Sequence, residues 1–143
     1  MLLCTILNLT RRGFNSRRFT EQDFYDICLD ERIEVVRQII PTSYYMALLG
    51  RKVIALPKSF RGLRLEFAMF HELGHHFLHG DRATPVSAFA WMEGGDEEQE
   101  REANEFASIA LYPRHEFGPI VPDAGLAKHI YGIRMNLLRT RGA

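Results

Sequence analysis

A chain of 143 residues, 46% hydrophobic and 25% charged, is long enough to bury one core and is ordinary for a single soluble globular domain. Its 18 basic and 18 acidic residues cancel, so no global field points to nucleic acid or to an anionic membrane surface. Cys4 and Cys28 share no C-x-x-C spacing, which argues against a disulfide framework and reads as two small buried hydrophobes in a reducing compartment.

Residues 1–9 are apolar but have no basic segment before them and are too short to span a bilayer, so the expected location is the cytoplasm. Residues 1–19 are left as a leader of unassigned structure, ahead of one domain over residues 20–143. Within the leader, Arg11, Arg12, Arg17 and Arg18 form a basic patch that is expected to be a solvated face. Thr20 followed three positions on by Asp23 has the form of a capping box, and the apolar stripe of Phe24, Tyr25, Ile27, Cys28 and Leu29 predicts a helix over residues 20–30. Three short strands follow, over residues 33–40, 44–49 and 52–57, rich in β-branched and aromatic residues. Pro41 ends the first, and Gly50-Arg51 is a plausible hairpin turn between the other two.

Residues 61–79 are apolar on most sides, as expected of a helix running through a core, yet they carry His71-Glu72-Leu73-Gly74-His75. Positions i and i+4 share a helix face, so both imidazoles can reach one Zn²⁺ while Glu72 stands beside them to accept a proton from water. His76 lies about 140° round the helix from His71 and is expected at the surface or behind a ligand. His79 continues the metal face and is kept as a reserve ligand. Residues 81–95, with Pro85, Gly94 and Gly95, read as a loop, and residues 97–112 as a second long helix stopped by Pro113. Residues 126–138 suit one or two further short helices. Helix, strands, helix, loop, helix is the order of a small α+β domain with its strands grouped on one side.

A catalytic zinc ordinarily has three protein ligands and an open position, so one ligand remains to be found. The spacing H-E-x-x-H-x-x-G-x-x-H is not met, because Leu78 stands at the glycine position and Asp81 at the last. On the second helix, Ala103, Phe106, Ala107, Ala110 and Leu111 define a buried face, and Glu100 lies at its edge, in register with Ala103, Asn104 and Ala107, whose small side chains allow close approach. Glu100 is therefore the chosen third ligand and Glu102, which points more towards water, the alternative. Glu97 and Glu105 are assigned to a solvated acidic face.

Phe67-Ala68-Met69-Phe70-His71-Glu72-Leu73-Gly74-His75, then Glu100-x-x-Ala103-Asn104-x-Phe106-Ala107, then Leu111 and Pro113, resemble the ImmA/IrrE family of small zinc metallopeptidases. The resemblance covers about residues 20–139, and residues 1–16 have no counterpart in it. It implies a zincin-like fold, Zn²⁺ held by His71, His75 and Glu100, and Glu72 as the catalytic carboxylate. It further implies a protein substrate, a helix-turn-helix transcriptional repressor encoded nearby. Tyr112, His115 and His129 are unranked candidates for steadying the oxyanion. The competing reading is a non-catalytic zinc-containing module that grips a regulator without cutting it. Structural zinc sites are mostly closed and rich in Cys, and neither cysteine lies near the histidine helix. A nucleic-acid reading would rest on Arg134, Arg139 and Arg141 alone.

Overall fold

The computed structural model describes Leu9 and residues 11–80 and 97–113. Among these, helix α1 (Glu21–Glu31) leads into strands β1 (Ile33–Gln38), β2 (Tyr44–Leu48) and β3 (Arg51–Pro57), followed by helix α2 (Gly62–His79) and helix α3 (Glu97–Leu111). The sheet order is β1-β3-β2, with β1 parallel to β3 and β2 antiparallel to it. The fold is α+β, as the alternation of patterns predicts. The loop over residues 81–95 and the helices near residues 126–138 fall outside the described residues.

Local chemistry accounts for each boundary. The Thr20 hydroxyl accepts from the Asp23 backbone N–H and the Asp23 carboxylate accepts from the Thr20 N–H, a complete capping box. Phe19 and Phe24, one on either side of that box, are fully buried and both pack against Phe70, with ring centroids 5.8 and 6.0 Å away. Burying each such ring contributes about 2 kcal/mol relative to exposure. The hairpin turn sits one residue earlier than expected. Leu49 and Gly50 both have positive φ, 52° and 78°, the pattern of a two-residue turn that matches strand twist, and Arg51 already belongs to β3.

β3 is the central strand, and Ile54, Ala55, Leu56 and Pro57 are buried in succession along it. The Arg37 guanidinium donates to the carbonyls of Pro57 and Phe60, at 3.2 and 3.1 Å, which fixes the turn that delivers the chain to α2. Within residues 11–19, left unassigned by the sequence, Phe14 and Phe19 pack onto the core. Phe14 stacks on Phe106 with centroids 4.8 Å apart, and the Phe19 N–H donates to the Ala110 carbonyl at 2.9 Å. Of the arginines there, Arg11 and Arg17 are exposed, as expected of a solvated face, and Arg12 and Arg18 are half-buried. Arg12 pairs with Asp30, Arg17 with Asp23 and Arg18 with Glu66. Cys28 is buried, and burial, with the Glu31 charge adding, pushes its thiol up to about 12, so it packs as a hydrophobe.

The Arg17 guanidinium hydrogen-bonds the Asp23 carboxylate through both nitrogens at 2.8 Å and, with the Thr20 contacts, outweighs burial and lowers its pKa to about 2. A carboxyl more acidic in the folded chain contributes stability that is full above its unfolded value of about 3.9 and is lost as pH falls through the folded value. Asp23→Ala is expected to cost about 1 kcal/mol at neutral pH. Urea unfolding of both proteins should show that difference holding down to about pH 4 and narrowing from there towards pH 2.

Candidate metal centre

α2 is apolar round most of its circumference because it is packed from several sides, and His71 and His75 sit on the face turned to α3. Their side chains are 13% and 14% exposed, and their rings are 4.8 Å apart, edge to face. The two helices can come together there because of Gly74. A Cβ added at that position would lie 3.0 Å from the Phe106 Cβ and 3.1 Å from the Ala103 Cα, so only glycine fits without moving backbone. Ala103, Ala107 and Ala110 are fully buried along the same stripe of α3.

One turn before Ala103, the Glu100 carboxylate meets both histidines. Its Oε2 lies 3.0 Å from His71 Nε2 and its Oε1 3.0 Å from His75 Nε2. Two ligands about 2.0–2.1 Å from one tetrahedral ion would be about 3.3 Å apart, so these donors are already spaced as ligands of a single ion. Glu102, the alternative, is elsewhere: its Oε1 stands 3.5 Å from His79 Nε2. Glu72 borders the same pair, with Oε2 4.0 Å from His71 Nε2, and the donors of His71, Glu72 and His75 all lie within 4.8 Å of one another. The two carboxylates differ in setting. Glu100 is half exposed, whereas Glu72 is 3% exposed and accepts a hydrogen bond from Ser43 Oγ at 2.5 Å.

The faces of the imidazoles turned away from Glu100 are also engaged. His71 Nδ1 meets Asn104 Oδ1 at 2.8 Å; the amide oxygen can only accept, so Nδ1 carries a proton and Nε2 is the nitrogen turned to Glu100. His75 Nδ1 meets His79 Nδ1 at 3.0 Å, which likewise leaves His75 Nε2 to face Glu100. His79 thus stands behind His75, buried, in place of the reserve position. His76 is not at the surface: its side chain is 10% exposed and lies between Tyr45 Oη, 2.9 Å from Nδ1, and Glu31 Oε1, 2.8 Å from Nε2. Burial lowers its pKa, and the Glu31 carboxylate only partly opposes that.

Charge is concentrated here. Burial alone would push the His71 imidazole down, but the charges of Glu72 and Glu100 and the hydrogen bonds it donates to Glu100 and Asn104 prevail and raise it. For Glu100 burial would act upwards, and the two histidines hold the carboxyl well below the usual range. Two imidazole nitrogens and a carboxylate held so closely are a suitable donor set for a divalent ion. The acidic face assigned to α3 is real for Glu97 and Glu98 but not for Glu105, which is 14% exposed and paired with Arg101. Tyr112 lies away from the cluster; burial raises its hydroxyl pKa, and its charged neighbours are Arg18 and Glu66. Asp81, His115 and His129 lie outside the described residues.

Residues 15–130 match the family model described as the IrrE N-terminal-like domain, of peptidase family M78. The chain belongs to the ImmA/IrrE family. No curated protein and no solved structure matches it. Membership makes this family member a metallopeptidase-type protein, and the cluster round His71 and His75 is its candidate metal site. No helix among the described residues is long and apolar enough to cross a membrane.

Ser43 and the orienting role of Asn104 were not assigned from the sequence. Asn104 had a signal, since it is four residues after Glu100 and must share its face. Gly74→Val is expected to part α2 from α3, costing about 1–3 kcal/mol of stability. Because the displaced segment carries Glu100, the variant should also bind divalent metal more weakly than a stability-matched substitution elsewhere in the core, as read by competition with a chelating dye.

Proposed function

We propose that this chain is a zinc-dependent metallo-endopeptidase that cuts a peptide bond in a specific protein substrate. The observation that carries the reading is the placement of two different carboxylates round one histidine pair: Glu100 within 3.0 Å of both Nε2 atoms, and Glu72 set back and held by Ser43. His71, His75 and Glu100 would be the three protein ligands, which leaves a fourth position open. When bound, Zn²⁺ would polarise the scissile carbonyl and lower the pKa of a water to about 7. Glu72 would accept the proton of the attacking water and carry it to the leaving nitrogen. Asn104 and His79 would keep the ligand lone pairs aimed inwards.

β2 supplies a means of holding substrate. Among the described residues it pairs only with β3, and its first residue follows Ser43 directly, so an extended peptide added to its other edge would run beside the metal site. A small cytoplasmic protease must be selective, and docking of a folded partner that presents a flexible segment to this edge would provide that selectivity. A helix-turn-helix repressor encoded nearby is the proposed substrate, on the strength of family membership.

Metal analysis of the purified protein and its variants tests the ligand set. One zinc per chain is expected, lost in His71→Ala and Glu100→Ala and kept in Glu102→Ala; metal lost only from Glu102→Ala would reassign the third ligand. Glu72→Gln should keep zinc and fold but lose about 10²–10⁴-fold in cleavage rate, since an amide cannot accept the proton. Substrate selection is tested by incubating the zinc-loaded protein with the neighbouring repressor and with unfolded casein. Cleavage of the repressor at a single region is expected; rapid casein digestion with the repressor untouched would point to a general peptidase.

A further inference from the structure

Two polar contacts at matched spacing dock the edge strand onto the histidine helix. Ser43 and Tyr45 are two residues apart along extended chain, about 6.6 Å, and so point the same way. Glu72 and His76 are four apart on α2, about 6.0 Å along its axis, and share a face. Ser43 Oγ donates to Glu72 Oε2 at 2.5 Å, and Tyr45 Oη meets His76 Nδ1 at 2.9 Å. The second contact continues through His76 Nε2 to Glu31 Oε1 at 2.8 Å, so β2, α2 and α1 are joined in one line. The first contact ends on the carboxylate.

We propose that Ser43 is a positioning residue for hydrolysis, fixing the rotamer of Glu72 and tying that carboxylate to the strand along which substrate pairs. The inference rests on the reading of Glu72 as proton acceptor. A carboxylate offers about four acceptor sites, so one hydrogen bond from Ser43 holds the group while leaving the others to receive a proton. Glu72 is 3% exposed, and without the hydroxyl one of its oxygens would be buried short of a donor, free to rotate towards whatever donor it can reach. Because the hydroxyl belongs to the residue adjoining β2, any shift of the strand on peptide binding moves the carboxylate with it.

The test uses the zinc-loaded protein labelled with ¹³C at its glutamate carboxyls, with the Glu72 resonance assigned from its absence in Glu72→Gln. Ser43→Ala should move the Glu72 resonance while zinc content stays at the wild-type level, and Ser43→Thr, which restores a hydroxyl, should return it. Acetohydroxamate, a small zinc-binding acid whose proton a neighbouring carboxylate accepts, serves as the probe of function. Its affinity should fall about 10-fold in Ser43→Ala, the size expected for a hydrogen bond to a charged group, and recover in Ser43→Thr. Should Ser43→Ala fail to fold, Ser43→Cys keeps the volume with a weak donor and is read in the same way. An unmoved Glu72 resonance, or unchanged acetohydroxamate affinity in the variant, overturns the inference. Failure of the wild-type chain to bind zinc would instead overturn the metallopeptidase reading, and the metal-free spectra would still report whether Ser43 holds Glu72.

Discussion

The site depends on how closely α2 and α3 approach at Gly74 and Ala103. Glu100 can touch both imidazoles only if the helix backbones pass nearly in contact, and an added Cβ at Gly74 would already crowd the Ala103 Cα at 3.1 Å. Glycine inside a helix costs about 0.5–1 kcal/mol relative to alanine. That cost is offset by the packing it permits: Ala103, Ala107 and Ala110 are buried without remainder, and Phe106 closes the gap with its ring 5.9 Å from Phe77 and 4.8 Å from Phe14. Asn104, one turn after Glu100, then arrives at His71 for the same reason. One close contact thus brings both Glu100 and Asn104 to the histidine pair.

The charges at this junction work against folding as an isolated chain. Glu72 is buried, the His71 imidazole is held towards its charged form by two carboxylates, and Glu100 lies within reach of both histidines. A structure selected for stability alone would place apolar side chains here, since replacing buried ionic groups by well-packed hydrophobes is often neutral or stabilising. The cluster is partly relieved by its position, because acidic residues in the first turn of α3 complement the partial positive charge of that helix end. A bound cation would relieve the rest. Elsewhere the chain offsets much of its own charge: Arg12, Arg17 and Arg18 pair with Asp30, Asp23 and Glu66.

What could be read from the sequence follows the range over which each determinant acts. The α1 capping box, the three strands and the histidine pair are set by residues within about four positions of one another, and they occur where the local pattern places them, apart from the first strand ending at Gln38 and the hairpin turn falling one residue early. Helical periodicity carries the register of the buried alanines along α3 and with it the placing of Glu100 beside His71 and His75, although Glu102, expected to point more towards water, is the less exposed of the two, 40% against 49%. Contacts between distant elements were less legible. Nothing near Ser43 in the chain signals Glu72, 29 positions away, and nothing near His76 signals Glu31, 45 away. The packing of Phe14 and Phe19 against the core is hidden for a different reason, since isolated aromatics next to arginines give no periodicity from which a buried side can be inferred.

The edge strand shows why such distant contacts nevertheless fix one arrangement. In a strand the side-chain period is two, so a slip of one residue against β3 would turn Tyr45 out and Tyr44 in. Tyr45, buried opposite Ile54, would then lose both its apolar surroundings and His76, and Ser43 would leave Glu72 without its donor. A slip of two residues would restore the facing but displace each contact by about 6.6 Å, beyond hydrogen-bonding range. The hydrophobic pattern of β2 therefore excludes the odd registers and the polar pairs exclude the even ones. The outer edge of β2 and the carboxylate beside the histidines are consequently located by the same set of contacts.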